Sequence, residues 1–162
     1  MIMKRFTKIA LAGVFYGAVV APLQAQDAFS DHQREVLSCL AQMENGVTWS
    51  ACLNVLFSPC AENEVGSDAH VVCLTDQKDL WRDTKNTLQV DLVEMLTPEG
   101  GTQMMNILHQ WQGYVGDKCS QVSQQYEESG AESAALGCEI SELTGLTAEL
   151  ALCHEQDSTA LR

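Results

Sequence analysis

The chain has few of the residues that interrupt helices or favour strands. Only three prolines occur among its 162 residues, and stretches in which apolar and polar residues alternate, as they do in a half-buried strand, are nearly absent. Apolar residues instead recur every three or four positions, which is typical of amphipathic helices. These observations predict an all-α protein.

Basic residues are scarce as well, and their placement indicates export. The chain has nine Lys and Arg against 22 Asp and Glu, and three of the nine lie within the first eight residues. An apolar run from 9 to 20 follows them, which is typical of a secretory signal peptide. Because Leu23 and Ala25 are apolar or small, we expect cleavage after Ala25, with an uncleaved membrane anchor as the alternative.

Removal of residues 1–25 changes the charge balance. The mature domain, residues 26–162, would keep six basic and all 22 acidic residues, a net charge of −16. Such a surface repels nucleic acid and attracts basic proteins, although it would equally serve solubility alone. The mature sequence has no apolar stretch of membrane length. We therefore expect a periplasmic or secreted protein with no nucleic-acid partner and no stable membrane insertion.

Motifs for common chemistries are missing. The sequence has no GxSxG, HExxH or CxxC and no Gly-rich phosphate loop. Cys73 with His70, or Cys153 with His154, would supply only half of a zinc site, because structural zinc needs four converging ligands. We therefore predict no enzymatic activity, no metal and no cofactor.

Seven cysteines lie in the mature chain, at 39, 52, 60, 73, 119, 138 and 153. In an exported protein this number indicates a disulfide framework, and an odd count leaves one thiol over. Residues equidistant from the turn of an antiparallel hairpin lie level with each other. Three pairs are centred on chain breaks: Cys39–Cys52, Cys60–Cys73 and Cys119–Cys138. We predict these bridges and a free Cys153; the main alternative joins Cys39 to Cys153 and frees Cys52.

The apolar periodicity predicts five helices, over about 30–44, 48–58, 70–96, 102–127 and 133–153. Short connections join them, so neighbouring helices should run antiparallel. The predicted fold is one small antiparallel bundle stapled by intra-hairpin disulfides.

The residues between these helices explain the breaks. They are Asn45-Gly46, Pro59, Gly66-Ser67, the segment 97–101 and Ser129-Gly130. The segments 49–81 and 111–150 share the order helix, Cys, Gly-containing loop, Cys, helix, which suggests a weak internal repeat. The tail, 154–162, has no periodicity and should fray.

The stretch QWQGYVGDKC, residues 110–119, combines aromatic residues with a bridging cysteine. Trp111, Val115 and Cys119 lie on one helical stripe, and Tyr114 flanks it. The two aromatic side chains would either cover the seam of the hairpin as core residues or form a ligand patch. We favour the core, because large aromatics on a bridged stripe usually pack inside.

A longer pattern extends this stretch. A Trp is followed by a Tyr three residues on and a Cys eight residues on, then a Gly-containing loop, a second Cys, Leu-Thr and a final Leu. The residues are Trp111, Tyr114, Cys119, Gly130, Cys138, Leu143, Thr144 and Leu150. Over 105–153 the chain thereby resembles LprI-type lysozyme inhibitors. The resemblance implies a helical, disulfide-stapled fold without a cofactor, and lysozyme inhibition as the activity for which the family is named.

Two positions depart from the family pattern. The family usually has Arg directly after the Tyr and three residues after the Thr, whereas this chain has Val115 and Thr147. If those arginines touch a partner in the family, that contact is lost here.

Three functions fit these observations. The first is an acidic inhibitor that binds a basic protein such as lysozyme through one of two acidic connections, 61–68 or 126–133. The second is a structural or adaptor protein of the bacterial cell envelope, in which Cys153 links two copies as a homodimer. The third is an enzyme or metal carrier, for instance with Cys153 as a nucleophile and a His as its base.

Overall fold

A computed structural model describes residues 29–43 and 46–160, so the predicted signal peptide lies outside the described residues. The helices are α1 (Asp31–Ala41), α2 (Trp49–Leu56), α3 (Asp68–Met95), α4 (Pro98–Ser123) and α5 (Glu128–Ala160), with a 3-10 turn at Ser58–Cys60. No strand occurs in these two ranges. The all-α bundle of five helices is confirmed.

A hydroxyl side chain caps the start of each of the first four helices. The cap residues are Ser30, Thr48, Ser67 and Thr97, and each side chain accepts a hydrogen bond from a backbone N–H three residues on. The first of them forms a capping box, since the Gln33 side chain also accepts from the backbone N–H of Ser30. These bonds satisfy backbone donors that have no partner within the helix.

The predicted helix boundaries differ most from the observed ones in α4 and α5. The segment 97–101 was expected to be a connection, but Thr97 is the cap of α4 and Pro98 its first residue. Proline is well suited to that position because its missing N–H would have no helical partner there. α5 begins five residues before its predicted start and continues to Ala160 rather than ending at 153.

Chain direction places α3 and α5 parallel, with α4 antiparallel to both. α5 packs most extensively against α3 and next against α4, whereas α3 and α4 touch little. Where they do touch, Gly101 is buried, and a Cβ there would lie 3.4 Å from a methyl of Val93. The hairpin of α1 and α2 packs against α3 and α5.

Two apolar clusters hold the bundle together. The larger joins all the helices except α4 and is centred on Trp81, which is fully buried; its other buried members are Val36, Leu56, Cys60, Leu74, Leu136 and Ile140. The smaller contains Leu88, Leu92 and Leu150, with Phe29 and Met104 packed against it. One buried hydrogen bond, 2.7 Å from Gln33 Nε2 to Thr84 Oγ1, joins α1 to α3.

All three predicted hairpin pairs are bonded. Cys39–Cys52 closes α1 onto α2, Cys60–Cys73 joins the 3-10 turn to α3, and Cys119–Cys138 joins α4 to α5. Cys153 is free and exposed. Gly46 and Gly66, in two of the predicted breaks, adopt positive φ of 94° and 84°, a conformation that glycine tolerates without steric cost.

Candidate functional site

The two acidic connections lie at the same end of the bundle. Because α3 and α5 run parallel, the connection before α3 and the connection before α5 are neighbours. His70 Nδ1, in the first turn of α3, and Ser133 Oγ, in the second turn of α5, are 3.0 Å apart and share a hydrogen bond. We call this end the acidic end. Its exposed carboxylates are Glu62, Glu64, Asp68, Glu127, Glu128 and Glu132.

Helix dipoles add to the electrostatics of the acidic end. The N-terminal turn of a helix carries a partial positive charge, which stabilises nearby carboxylates. Asp68 lies in the first turn of α3 and Glu128 in the first turn of α5. The sequence therefore places acidic residues where the backbone tolerates them, and leaves their side chains open to solvent.

The cations of the described chain are paired or buried. Arg34 bonds Asp31, Arg82 lies 3.0 Å from Asp79, Lys78 lies 3.2 Å from Glu139 and Lys118 lies 2.7 Å from Glu142. The fifth, Lys85, is 4% exposed and donates to Gln89 Oε1 at 2.9 Å. The carboxylates of the acidic end have no Lys or Arg of the described residues as an ion-pair partner within 4.0 Å.

Two lysines have altered proton affinity for opposite reasons. The hydrogen bond to Glu142 raises the pKa of Lys118 above its ordinary value of 10.5. Burial lowers the pKa of Lys85, because a charged ammonium loses its hydration inside the bundle. Lys118 therefore keeps its charge and its partner at neutral pH, and its charge is not free to offset the acidic surface.

The aromatic residues singled out from the sequence are less buried than expected. Trp111 is half-buried, and Tyr114 is 59% exposed, so the prediction that Tyr114 covers the core is wrong. α4 packs mainly against α5, which buries only a narrow face containing Val115 and Cys119. Tyr114 lies outside that face, and its ring centroid is 5.9 Å from Lys118 Nζ, within the range of a cation–π contact.

The other residues of the family-like pattern lie in the core. Thr144 is fully buried, Leu150 is 7% exposed and Leu143 packs against the larger cluster. Val115 and Thr147, which stand where the family usually has arginines, are also buried. An arginine at either position would begin at a buried site, so its charge would be costly unless the long side chain reached solvent.

The sequence motifs do not point to Trp81, which lies at the centre of the larger cluster. Trp81 is fully buried, and its indole N–H has no hydrogen-bond partner. The signal that would identify it is its spacing: Leu74, Trp81, Leu88 and Leu92 repeat every seven or four residues on one face of α3.

The described residues offer no metal-ligand cluster of three or more His, Cys, Asp or Glu side chains. His70 and Cys73, one of the zinc half-sites that the sequence offers, have other partners. Cys73 is bonded to Cys60, and His70 shares a hydrogen bond with Ser133. Among the described residues, none of the helices combines the length and the apolar character that a membrane span requires.

Comparison with known proteins identifies no relative: no family model matches the chain, and no curated protein or solved structure matches it. The resemblance to LprI-type inhibitors therefore stays a prediction that rests on the residues quoted for it.

Proposed function

We propose that this protein is an exported, non-enzymatic binding protein whose partner is a basic protein. The observation that carries the proposal is the acidic end, where six exposed carboxylates from two connections converge without an ion-pair partner among the described cations. Clustered like charges raise the local concentration of an oppositely charged partner and speed its association.

The resemblance to LprI-type inhibitors suggests lysozyme as that partner. Animal-type lysozymes are strongly cationic, so the charge of the mature chain would attract them. In this proposal a carboxylate of the acidic end approaches the basic surface around the substrate cleft of the lysozyme. Three hairpin disulfides favour a rigid surface of this kind, because they restrict the chain and hold the connections in place.

The direct test is a lysozyme assay on a peptidoglycan substrate with purified mature protein. We expect slower clearing, and we expect Glu62→Gln together with Glu128→Gln to weaken the effect. The matched control is Asp91→Asn together with Glu94→Gln, which removes the same charge from the opposite end of α3. Normal clearing at saturating protein, with no binding to lysozyme, would refute inhibition.

A second function is favoured by one observation. Cys153 is an exposed thiol in a chain whose other six cysteines are bonded, so it is available to join a second copy or another envelope protein. Electrophoresis without reducing agent tests this adaptor role. A dimer band that vanishes in Cys153→Ser supports a link between two copies, and a monomer in oxidising buffer refutes that homodimer.

A further inference from the structure

The outer surface of α4 carries a row of apolar side chains. Ile107, Trp111 and Tyr114 follow one another at intervals of four and three residues, so they lie on the same face of the helix. Ile107 is 63% exposed, Tyr114 is 59% exposed and Trp111 is half-buried. We call these three residues the α4 stripe.

The bundle itself leaves this stripe uncovered. The buried residues of α4 are Leu108, Val115, Cys119 and Gly101. Successive residues of a helix are about 100° apart around its axis. Ile107 therefore points about 100° away from buried Leu108, and Tyr114 points about 100° away from buried Val115. Trp111 lies between the two faces, which agrees with its half-buried position.

Isolated exposed apolar residues are common and need no partner, but the α4 stripe is not isolated. Residues 100–116 contain no Asp, Glu, Lys or Arg, in a chain with 22 acidic residues. Val72 on α3 provides the contrast. It is 60% exposed, and the residues four before and four after it are the exposed Asp68 and Asp76.

Exposed carboxylates lie beyond both ends of the stripe on α4 and beside it on α5. Exposed Glu99 and Asp117 bracket the neutral segment of α4. On α5, the register fixed by the Cys119–Cys138 bond and the Lys118–Glu142 contact places exposed Glu149 level with the start of the stripe. Lys118 is the cation at this edge, and Glu142 binds it at 2.7 Å. The surface therefore has an apolar centre with an acidic rim.

We propose that the α4 stripe is the docking surface for a cationic protein. An acidic rim favours a partner with basic residues around an apolar contact, because the charges of the two surfaces are then complementary. Protein interfaces commonly have this anatomy, and Trp and Tyr are enriched among the residues that contribute most to binding. The inference rests on the proposed function, that the partner is basic, and adds where the close contact forms: the acidic end attracts the partner and the stripe holds it.

The test compares two variants that should both fold. Ile107→Ser with Tyr114→Ser removes the two most exposed side chains of the stripe, and Val72→Ser removes an equally exposed apolar side chain elsewhere. Binding of each to an animal-type lysozyme and to a cationic cytochrome c is measured by surface plasmon resonance, with circular dichroism to verify the fold. We expect the stripe variant to bind lysozyme at least about tenfold more weakly, mainly through faster dissociation, and the Val72 variant to bind as the unaltered protein does.

The outcomes separate this inference from the proposed function. If the unaltered protein binds lysozyme and the stripe variant binds it equally well, the stripe is refuted while the basic partner stands. If cytochrome c binds through the stripe and lysozyme does not bind, the docking surface stands and lysozyme is the wrong partner. If neither cationic protein binds, both proposals fail. Sedimentation measures the oligomeric state of each protein. If the unaltered protein and the Val72 variant are dimers and the stripe variant is a monomer, a second copy binds the stripe, and the proposal of a cationic partner there is refuted.

Discussion

His70 and Ser133 are 63 residues apart in the chain, yet their side chains meet at 3.0 Å and join the N-terminal parts of α3 and α5. This contact holds the two acidic connections side by side, although nothing in the sequence of either connection indicates that they are neighbours. The charge at the acidic end is therefore a property of the packed bundle rather than of either connection alone.

Binding of a basic partner should depend on salt. Attraction between the acidic end and a cationic protein accelerates their encounter, and dissolved ions screen it over about 8–10 Å near physiological ionic strength. We expect the association rate to fall roughly tenfold between low and high salt, with a smaller change in dissociation. Stopped-flow fluorescence at several salt concentrations measures this. An association rate that does not respond to salt would mean that charge contributes little to the encounter.

Trp81 should matter more for stability than Trp111. Trp81 is fully buried at the centre of the larger cluster, so Trp81→Ala should lower the free energy of unfolding by about 3–5 kcal/mol. Trp111 is only half-buried, so Trp111→Ala should cost clearly less. Urea denaturation followed by circular dichroism compares the two. Equal losses would show that the exposed side of α4 is more important to the bundle than its packing indicates.

Each hairpin bridge should contribute to stability through the loop that it closes. Cys119 and Cys138 are 19 residues apart, and a loop of that length corresponds to about 3 kcal/mol in the chain-entropy model. Replacing both residues by Ala should lower the free energy of unfolding by about that amount, measured by thermal and urea denaturation. Cys153→Ser is the control, because it removes a thiol that closes no loop and should leave stability almost unchanged.

Lys85 should destabilise the bundle at neutral pH. Its pKa is lowered by burial, so the folded state binds this proton less tightly than the unfolded chain, whose lysine has a pKa near 10.5. Lys85→Met should therefore raise the free energy of unfolding at pH 7 by on the order of 1 kcal/mol.

The pH dependence of this effect has a definite sign. As pH rises through the lowered pKa towards 10.5, the folded state loses the proton first, and the unaltered protein gains stability relative to the variant. The difference between the two should shrink, as measured by urea denaturation at pH 7 and pH 10 in a Cys153→Ser background that prevents thiol exchange. A difference in the free energy of unfolding that stays constant or widens would mean that desolvation of its charge is not the reason why Lys85 destabilises the bundle.

The helices and bridges were predictable because both depend on local spacing. Apolar residues every three or four positions identify each helix, and a hairpin turn places residues equidistant from it side by side, which is why Cys60 and Cys73 could be paired. Pro98 was misinterpreted because proline either ends a helix or begins one, and the difference lies in the cap supplied by Thr97.

The surroundings of each helix could not be predicted in the same way. The spacing placed Tyr114 beside the Cys119 stripe, but whether a flanking residue is buried depends on how far the neighbouring helix wraps around it. Here α5 covers one narrow face of α4 and leaves Tyr114 exposed. The approach of His70 to Ser133 likewise depends on the parallel packing of α3 and α5, which no local pattern encodes.

Each bonded cysteine is paired with the next cysteine along the chain: the first with the second, the third with the fourth and the fifth with the sixth. An oxidant that meets the chain progressively from its N-terminal end can therefore form every native bond as soon as its second thiol arrives. No later cysteine has to displace an earlier one, so the covalent framework can be completed in order of synthesis without a disulfide isomerase, and the last thiol to arrive, Cys153, finds no partner left within the chain.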